Sequence, residues 1–475
     1  MIQIEYIIAI AIYSVIMILI GFYGAKITKD LKDYFVAGGK LSGIIAGFSL
    51  IFTSVSASAI VGSFGTAYAT GLGSVMCVTA AFGIGGPIAF YILGRPLKRL
   101  SSKLGALTIP ELLGKRYYSD KIQYLAAIFV IVFMLPLLVA QFKGAGVLFE
   151  KMLGIPYIWG LVLFGAIVVI YTSVGGFFSV AYTDFVQGLI VIIAILMVLP
   201  AAIAASGGWT ETMTKWNEAM PGGTGVFGYF GPALGLSLFF SLLFGNFGAP
   251  HNLIRFYSVR KGEIGKMLAI WAIVQILLIY LYLAAPSAKV LLPGIKDPDM
   301  VLPSLVMRVL PTALAAFFMI GILAAIMSTA DSILLVHSSA FMADFFKKIK
   351  PEVPEKTTLK ISRILSFAIG IIALIISITP PDIITFLMAW SFGLFAVTFS
   401  TTLIAGFYWK RATKEGAFSA LIGGAVAVLI WGYLKQPFGI MATFVGIIVA
   451  AILLVVVSLL TPKPPENVVK TFFGK

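Results

Sequence analysis

The sequence predicts an all-α polytopic membrane protein of about thirteen transmembrane helices, on three observations. The composition is too apolar for water: of 475 residues, 60% are hydrophobic and only 11% charged, with a mean hydropathy of +1.05. Runs long enough to span a bilayer, about 20 apolar residues each, follow one another with short connections, so no soluble domain is left over. The basic residues sit in alternate gaps between those runs.

Taken in order, the first run, 4–26, has no basic stretch before it and no clear cleavage site, so it reads as a retained helix. The second, 41–70, carries SLIFTSVSASAIVGSFG at 49–65, where Ser, Thr and Gly gather at mid-membrane depth and predict an interrupted helix. Runs at 73–95, 121–150, 155–174 and 178–204 follow, bounded by Gly, Pro and charge. The seventh, 226–250, ends in SLLFGNFGAPH (241–251), whose Gly245, Asn246, Gly248 and Pro250 predict a second interruption. Runs at 262–286, 312–344, 358–378, 381–408, 414–434 and 440–461 complete the chain.

Charge tests that count. With the N-terminus outside and the C-terminus cytoplasmic, 27 of the 34 Lys and Arg residues fall in inside segments, Arg116 and Arg255 among them. A miscounted span would exchange the two sides for every later loop and even out this asymmetry. The +15 net charge therefore orients the protein in a membrane instead of marking a nucleic-acid-binding face. Cys77 stands alone in an apolar run, which excludes disulfides and a cysteine metal site and leaves it a packing residue.

Spans two and seven are five apart, so they cross in opposite directions, and interruptions at matching places of two inverted repeats point to a transporter's binding site. Small residues also let ordinary helices pack closely, which is the competing explanation for either span alone. Carboxylates inside a bilayer cost several kcal/mol unless paired or solvated. The chain has Asp184 in GGFFSVAYTDFVQG (175–188) and Asp331 in AAIMSTADSILL (324–335). Ala325, Ser328 and Thr329 stand at i, i+3 and i+4, and Ser328, Asp331 and Ser332 repeat that spacing one turn on, so hydroxyls and a carboxylate line adjoining stripes of one helix. Such oxygens suit a hard monovalent cation such as sodium. The alternative is that the hydroxyls bond back to their own helix and Asp331 faces an aqueous vestibule.

Four stretches together resemble the sodium/solute symporter family: DYFVAGGKLSG (33–43) with the SVSASAIVG helix after it, TIPELLGKRY (108–117), GGFFSVAYTDFVQG and AAIMSTADS. The resemblance implies a single transmembrane transporter domain, 1–475, with a leucine-transporter-like 5+5 inverted repeat. The repeats would be roughly 41–204 and 226–408, with peripheral helices 4–26, 414–434 and 440–461. It implies sodium as coupling ion, held by carbonyls of Phe52, Val55 and Ala325 and hydroxyls of Ser328 and Thr329. It also implies a second cation site at Asp184, Ser328, Asp331 and Ser332, with Asp331 standing where some relatives have serine. The solute would lie beside the sodium, with Ser54, Ser56, Ser58, Gln141, Asn246 and Phe247 as liners and Trp390 as a gate. VAQFKGAGVLFEKMLGIPY (139–157) and FGAPHNLIRF (247–256) look closer to the pantothenate, acetate and proline branches than to the sugar branch.

The expected function is import of a small organic solute, a carboxylate of pantothenate, monocarboxylate or amino-acid type, by a monomer in the cytoplasmic membrane. Hydroxyls, amides and half-helix N-termini suit an anion. Lys143 is expected to snorkel to the outer interface, attraction of a carboxylate being the alternative. His251 and His337 are too isolated for a metal site. Proton coupling through Asp184 or Asp331 on the same fold, or a sensory or structural membrane protein, are the competing readings. No HExxH, Cys–His pair or acidic cluster suggests an enzyme.

Overall fold

The protein is described by a computed structural model over residues 4–379 and 391–474; among those residues the regular structure is helical, with short connections and an isolated parallel bridge between Leu41 and Val259. In bilayer only structures that satisfy their own backbone are tolerated, and helices do so within one segment. Helix α1 spans Ile4–Ile27. The second crossing is in two pieces, α2 (Gly43–Phe52) and α3 (Ser63–Thr70), joined by an unwound stretch at 53–56 and a wide helical turn at Ser58–Gly62. Then come α4 (Leu72–Leu104), α5 (Asp120–Glu150), α6 (Tyr157–Ala205), α7 (Gly228–Gly248), α8 (Ile264–Leu291) and α9 (Thr312–Ile349). They are followed by α10 (Glu355–Ile378), α11 (Ser391–Tyr408), α12 (Lys414–Tyr433) and α13 (Ala442–Leu460).

Eleven of these are long and apolar enough to cross a membrane. Helix α6, at 49 residues, would reach about 70 Å, more than twice a bilayer's hydrocarbon core. It bends at Gly176, whose φ of 63° and ψ of −153° belong to a region open in practice to glycine alone. A Cβ there would sit 2.5 Å from Tyr34 Cδ2 and 2.8 Å from its carbonyl oxygen. Splitting α6 at this bend and adding the interrupted α2–α3 crossing brings eleven to the thirteen expected. Around the bend the freed carbonyls find donors: Thr28 Oγ1 reaches Gly175 O at 3.0 Å and Tyr34 Oη reaches Ser173 O at 2.9 Å. Helix α1 lies along α6 by setting Gly21 and Gly24 against Tyr171 and Ser179.

Two groups of helices pack against each other. The interrupted crossing, α4, α7 and α8 form one; α5, α6, α9 and α10 form the other, with α9 buried on nearly every side. The seventh crossing corrects the sequence reading. It does not stop at Pro250: Ala249 is extended (φ −70°, ψ 108°), and the chain then continues through short turns at Pro250–Leu253 and Arg255–Ser258. The span was closed early because Pro and a charge are ordinarily punctuation; here they lie inside the fold. Leu41 N donates to Ser258 O at 3.0 Å and Arg260 N to Leu41 O at 2.9 Å, fastening the start of α2 to the end of this crossing.

The basic residues also need correction in two places. Arg255 and Arg116, read as loop charges, are fully buried. Arg116 gives its guanidinium to carbonyls of Gly406, Ala412 and Trp409 and lies over the rings of Phe472 and Phe473. On this same face, a cavity of 750 Å³ opens among Lys32, Glu111, Lys115, Gln123 and Lys348.

Candidate ion and solute site

The unwound stretch 53–56 leaves carbonyls of α2 without helical partners, and α9 supplies the groups that meet them. Ser328 Oγ lies 2.7 Å from Phe52 O and 3.0 Å from Ala325 O, and Thr329 Oγ1 lies 3.3 Å from Ala325 O. Of the five residues expected around sodium, Phe52, Ala325, Ser328 and Thr329 thus form one oxygen cluster across two elements. Val55 is buried in the same unwound stretch. The hydroxyls do bond back to their own helix, as the competing reading held, yet Ser328 also reaches across to α2.

One turn along α9 the second group forms a chain of charges and hydroxyls. Asp331 does not face a vestibule: it is fully buried, with Tyr171 Oη donating to its Oδ2 at 2.6 Å and Ser332 Oγ 3.1 Å from its Oδ1. Asp184 Oδ2 accepts from Ser49 Oγ at 2.6 Å and pairs with Arg255 Nη2 at 3.5 Å. Arg255 was missed by sequence reasoning and ties the set together. Its guanidinium donates to Ser332 Oγ, to Ser49 Oγ at 3.2 Å and to His251 O at 2.5 Å, and lies 5.0 Å over the Phe177 ring. Asp184, Asp331, Ser328 and Ser332 are therefore linked, with a guanidinium between the carboxylates and Asp184 Oδ1 without a partner among the described residues. The signal was present in FGAPHNLIRF: a cation just after a helix break is already inside the crossing.

Between the two interruptions runs an amide and hydroxyl bridge. Ser54 Oγ donates to Asn252 Oδ1 at 2.9 Å, and Asn252 Nδ2 donates to Asn246 Oδ1 at 3.3 Å. Ser54 and Asn246 are thus brought together through Asn252, which the sequence reading passed over. Ser56, in the unwound stretch, and Gln141, on α5, are both buried, and Phe247 packs its ring 5.7 Å from Phe244. His251, set aside earlier, is fully buried beside Asn252, with both ring nitrogens lacking a partner among the described residues and the rings of Phe392 and Phe395 around it. Trp390 lies outside the described residues. Ser58 belongs elsewhere, in a separate cavity with Lys143, Asp297 and Asp299. Lys143 is half-buried and lines that cavity.

Among the described residues no group of three or more His, Cys, Asp or Glu side chains is placed to hold a metal ion. The oxygen cluster has instead the carbonyl and hydroxyl donors that suit a weakly held monovalent cation passing through as cargo.

A family model described as the sodium:solute symporter family matches residues 34–424. A sodium/proline symporter of Staphylococcus aureus (strain USA300 / TCH1516) is 33% identical over 487 residues, covering 96% of this chain and 93% of the relative. Among solved structures, a sodium-coupled sialic acid symporter in a substrate-bound outward-open state superposes with a TM-score of 0.85 at 21% identity, covering 98% of this chain and 99% of that one. Mhp1, a nucleobase-cation-symport-1 family transporter in a closed conformation with bromovinylhydantoin bound, gives a TM-score of 0.57 at 13% identity, covering 93% of this chain and 98% of that one.

Proposed function

The chain belongs to the sodium:solute symporter family, and from that premise we propose that it imports a small amino-acid-like carboxylate, driven by sodium, by alternating access on a leucine-transporter-like fold. The observation that carries the reading is the Ser328 hydroxyl lying between the Phe52 and Ala325 carbonyls. A cation taking that place would bind α2 to α9, and hence one helix group to the other. The N-terminus is outside and the C-terminus cytoplasmic, so the ion enters down a membrane potential worth about 2.3 kcal/mol per charge per 100 mV. Each tenfold sodium gradient adds about 1.4 kcal/mol.

Sodium is held by Phe52, Val55, Ala325, Ser328 and Thr329. The solute lies between the interruptions, against Ser54, Ser56, Asn246 and Asn252, with Gln141, Phe247 and the His251 ring beside it. The sodium/proline symporter likeness favours an amino acid among carboxylates. Arg255 serves as a fixed counter-ion to Asp184, so the second site, with Asp331, Ser328 and Ser332, takes a further cation only as that pair loosens.

Uptake into proteoliposomes of radiolabelled L-proline and acetate, with sodium replaced by choline at fixed pH, tests the coupling. Loss of accumulation without sodium is the expected result; undiminished accumulation would overturn it. Proton coupling is the second reading, favoured by Asp331 having the side chains of Tyr171, Thr183 and Ser332 as its hydrogen-bond partners and no direct ion pair among the described residues. An imposed pH gradient driving uptake in choline medium would select it.

A further inference from the structure

The cavity that holds Lys143 is distinct from the central cluster and has chemistry of its own. Its volume is 220 Å³, below the roughly 300 Å³ at which drug-binding pockets begin. Its floor includes Ile326, the neighbour of Ala325 in the oxygen cluster, and one wall is the outer half of the interrupted crossing at Ser58 and Gly62. It therefore lies on the path between the central site and the face opposite the basic loops.

Its two charged walls belong to different parts of the molecule. Lys143 projects from α5. Asp297 and Asp299 come from the loop between α8 and α9, with Asp299 Oδ1 only 3.9 Å from where a Cβ on Gly62 would stand. That loop is fastened to α3. Tyr68 Oη donates to Leu292 O at 2.7 Å and accepts from Ile295 N at 3.3 Å, and Gly65 lets the helix approach so closely that a Cβ would lie 2.3 Å from Pro298 O. The carboxylates thus travel with the interrupted crossing, while the ammonium stays with the opposing helix group.

Such a cavity discriminates by charge pattern. A simple carboxylate gains from Lys143 but meets two like charges; an amine alone meets the reverse. A small molecule carrying both can set each end against its opposite. Burial, and the Asp297 carboxylate beside it, push the Asp299 carboxyl above the usual carboxylate range, so a cation placed in the cavity relieves it.

We propose that this cavity is an outer docking subsite for a zwitterionic amino acid, its carboxylate held by Lys143 and its ammonium by Asp299 with Asp297 alongside, occupied before the solute passes inward. It rests on the solute reading above and deepens it, giving the amine as well as the carboxylate of that solute a partner on the way in.

The test is sodium-driven uptake of the common L-amino acids and of acetate into proteoliposomes holding wild type, Lys143→Gln, Asp299→Asn and Asp299→Glu. Uptake of an amino acid is expected, with KM raised tenfold or more by Lys143→Gln and by Asp299→Asn. The same variants should leave kcat and the sodium KM within about twofold, and Asp299→Glu should restore most of the affinity. Monodisperse elution of each variant and its intact sodium KM separate this from misfolding. Amino-acid uptake with KM unchanged in both variants would overturn the subsite and leave the central reading standing. A fall in kcat at constant KM would also overturn it, since that marks a gate. Uptake of acetate but of no amino acid would remove the zwitterion, and no sodium-driven uptake of any of them would take the central reading down as well.

Discussion

The two interrupted crossings sit at matching places of the fold and are broken in different ways. In the first, residues 53–56 fall between two helical pieces, and the Phe52 carbonyl is met from α9 by a hydroxyl. In the second, Ala249 alone is extended, and its carbonyl is recovered at once by Asn252 N and Leu253 N at 3.0 and 3.1 Å. What the second break presents inward is side chains: Asn246, His251, Asn252 and Arg255. Related elements thus contribute opposite chemistry, backbone oxygens for a hard cation from one and a fixed cation with amides from the other. A break is therefore a place where the chain chooses between offering backbone and offering side chains.

That contrast can be broken most severely at Arg255. Arg255→Gln leaves Asp184 buried without its countercharge, a change that costs about 3–5 kcal/mol in other buried pairs. Purified protein should show a large fall in melting temperature and lost uptake, and Asp184→Asn added to it should recover part of the stability. A melting temperature unmoved by Arg255→Gln would mean that the pair carries little. Ser328→Ala comes next: apparent sodium affinity should fall at least tenfold, about 1.4 kcal/mol, with solute KM following only through coupling. Equal sodium KM in wild type and variant would separate the first break from the ion. Asn252→Ala, on the second break, should raise solute KM roughly threefold to tenfold, the value of about one hydrogen bond, and move sodium KM less; the reverse pattern would erase the division of labour.

The smallest effect belongs to a pair outside both breaks. Lys40 Nζ meets Asp33 Oδ1 at 2.8 Å with the lysine mostly exposed, so Lys40→Met should cost under about 1 kcal/mol and less in high salt. Its hydrogen bond to Asp33 holds the Lys40 ammonium above the usual lysine range. A raised folded value means that the contribution is complete below the unfolded lysine value and is lost only as pH rises through the folded one. Across neutral pH the melting temperature of this variant, compared with wild type, should respond to salt and not to pH.

Much of this architecture was legible beforehand because bilayer physics is written in composition. Apolar length, the sign pattern of loops and the Ser, Thr and Gly cluster at 49–65 were enough for thirteen crossings and the first break, and the hydroxyl spacing at Ala325, Ser328 and Thr329 pointed to α9. What escaped reading was wherever polar groups are satisfied by tertiary partners. Arg255 and Arg116 look like loop charges until the carboxylate, the carbonyls and the rings that receive them are seen. Asn252 carries no period, and nothing in the run around Lys143 shows that Asp297 and Asp299, from a loop far along the chain, line the same cavity.

Helix α1 lies outside the two repeats, but its Thr28 hydroxyl reaches the Gly175 carbonyl beside the Gly176 bend, while Ile8, Ile12, Val15 and Leu19 stay on its exposed side. It acts as a splint on a joint, held on by the surrounding solvent. Short-chain detergents that compete for that apolar side should loosen the splint before they unfold the core, so the choice of extraction medium decides how stiff the joint is in any purified sample.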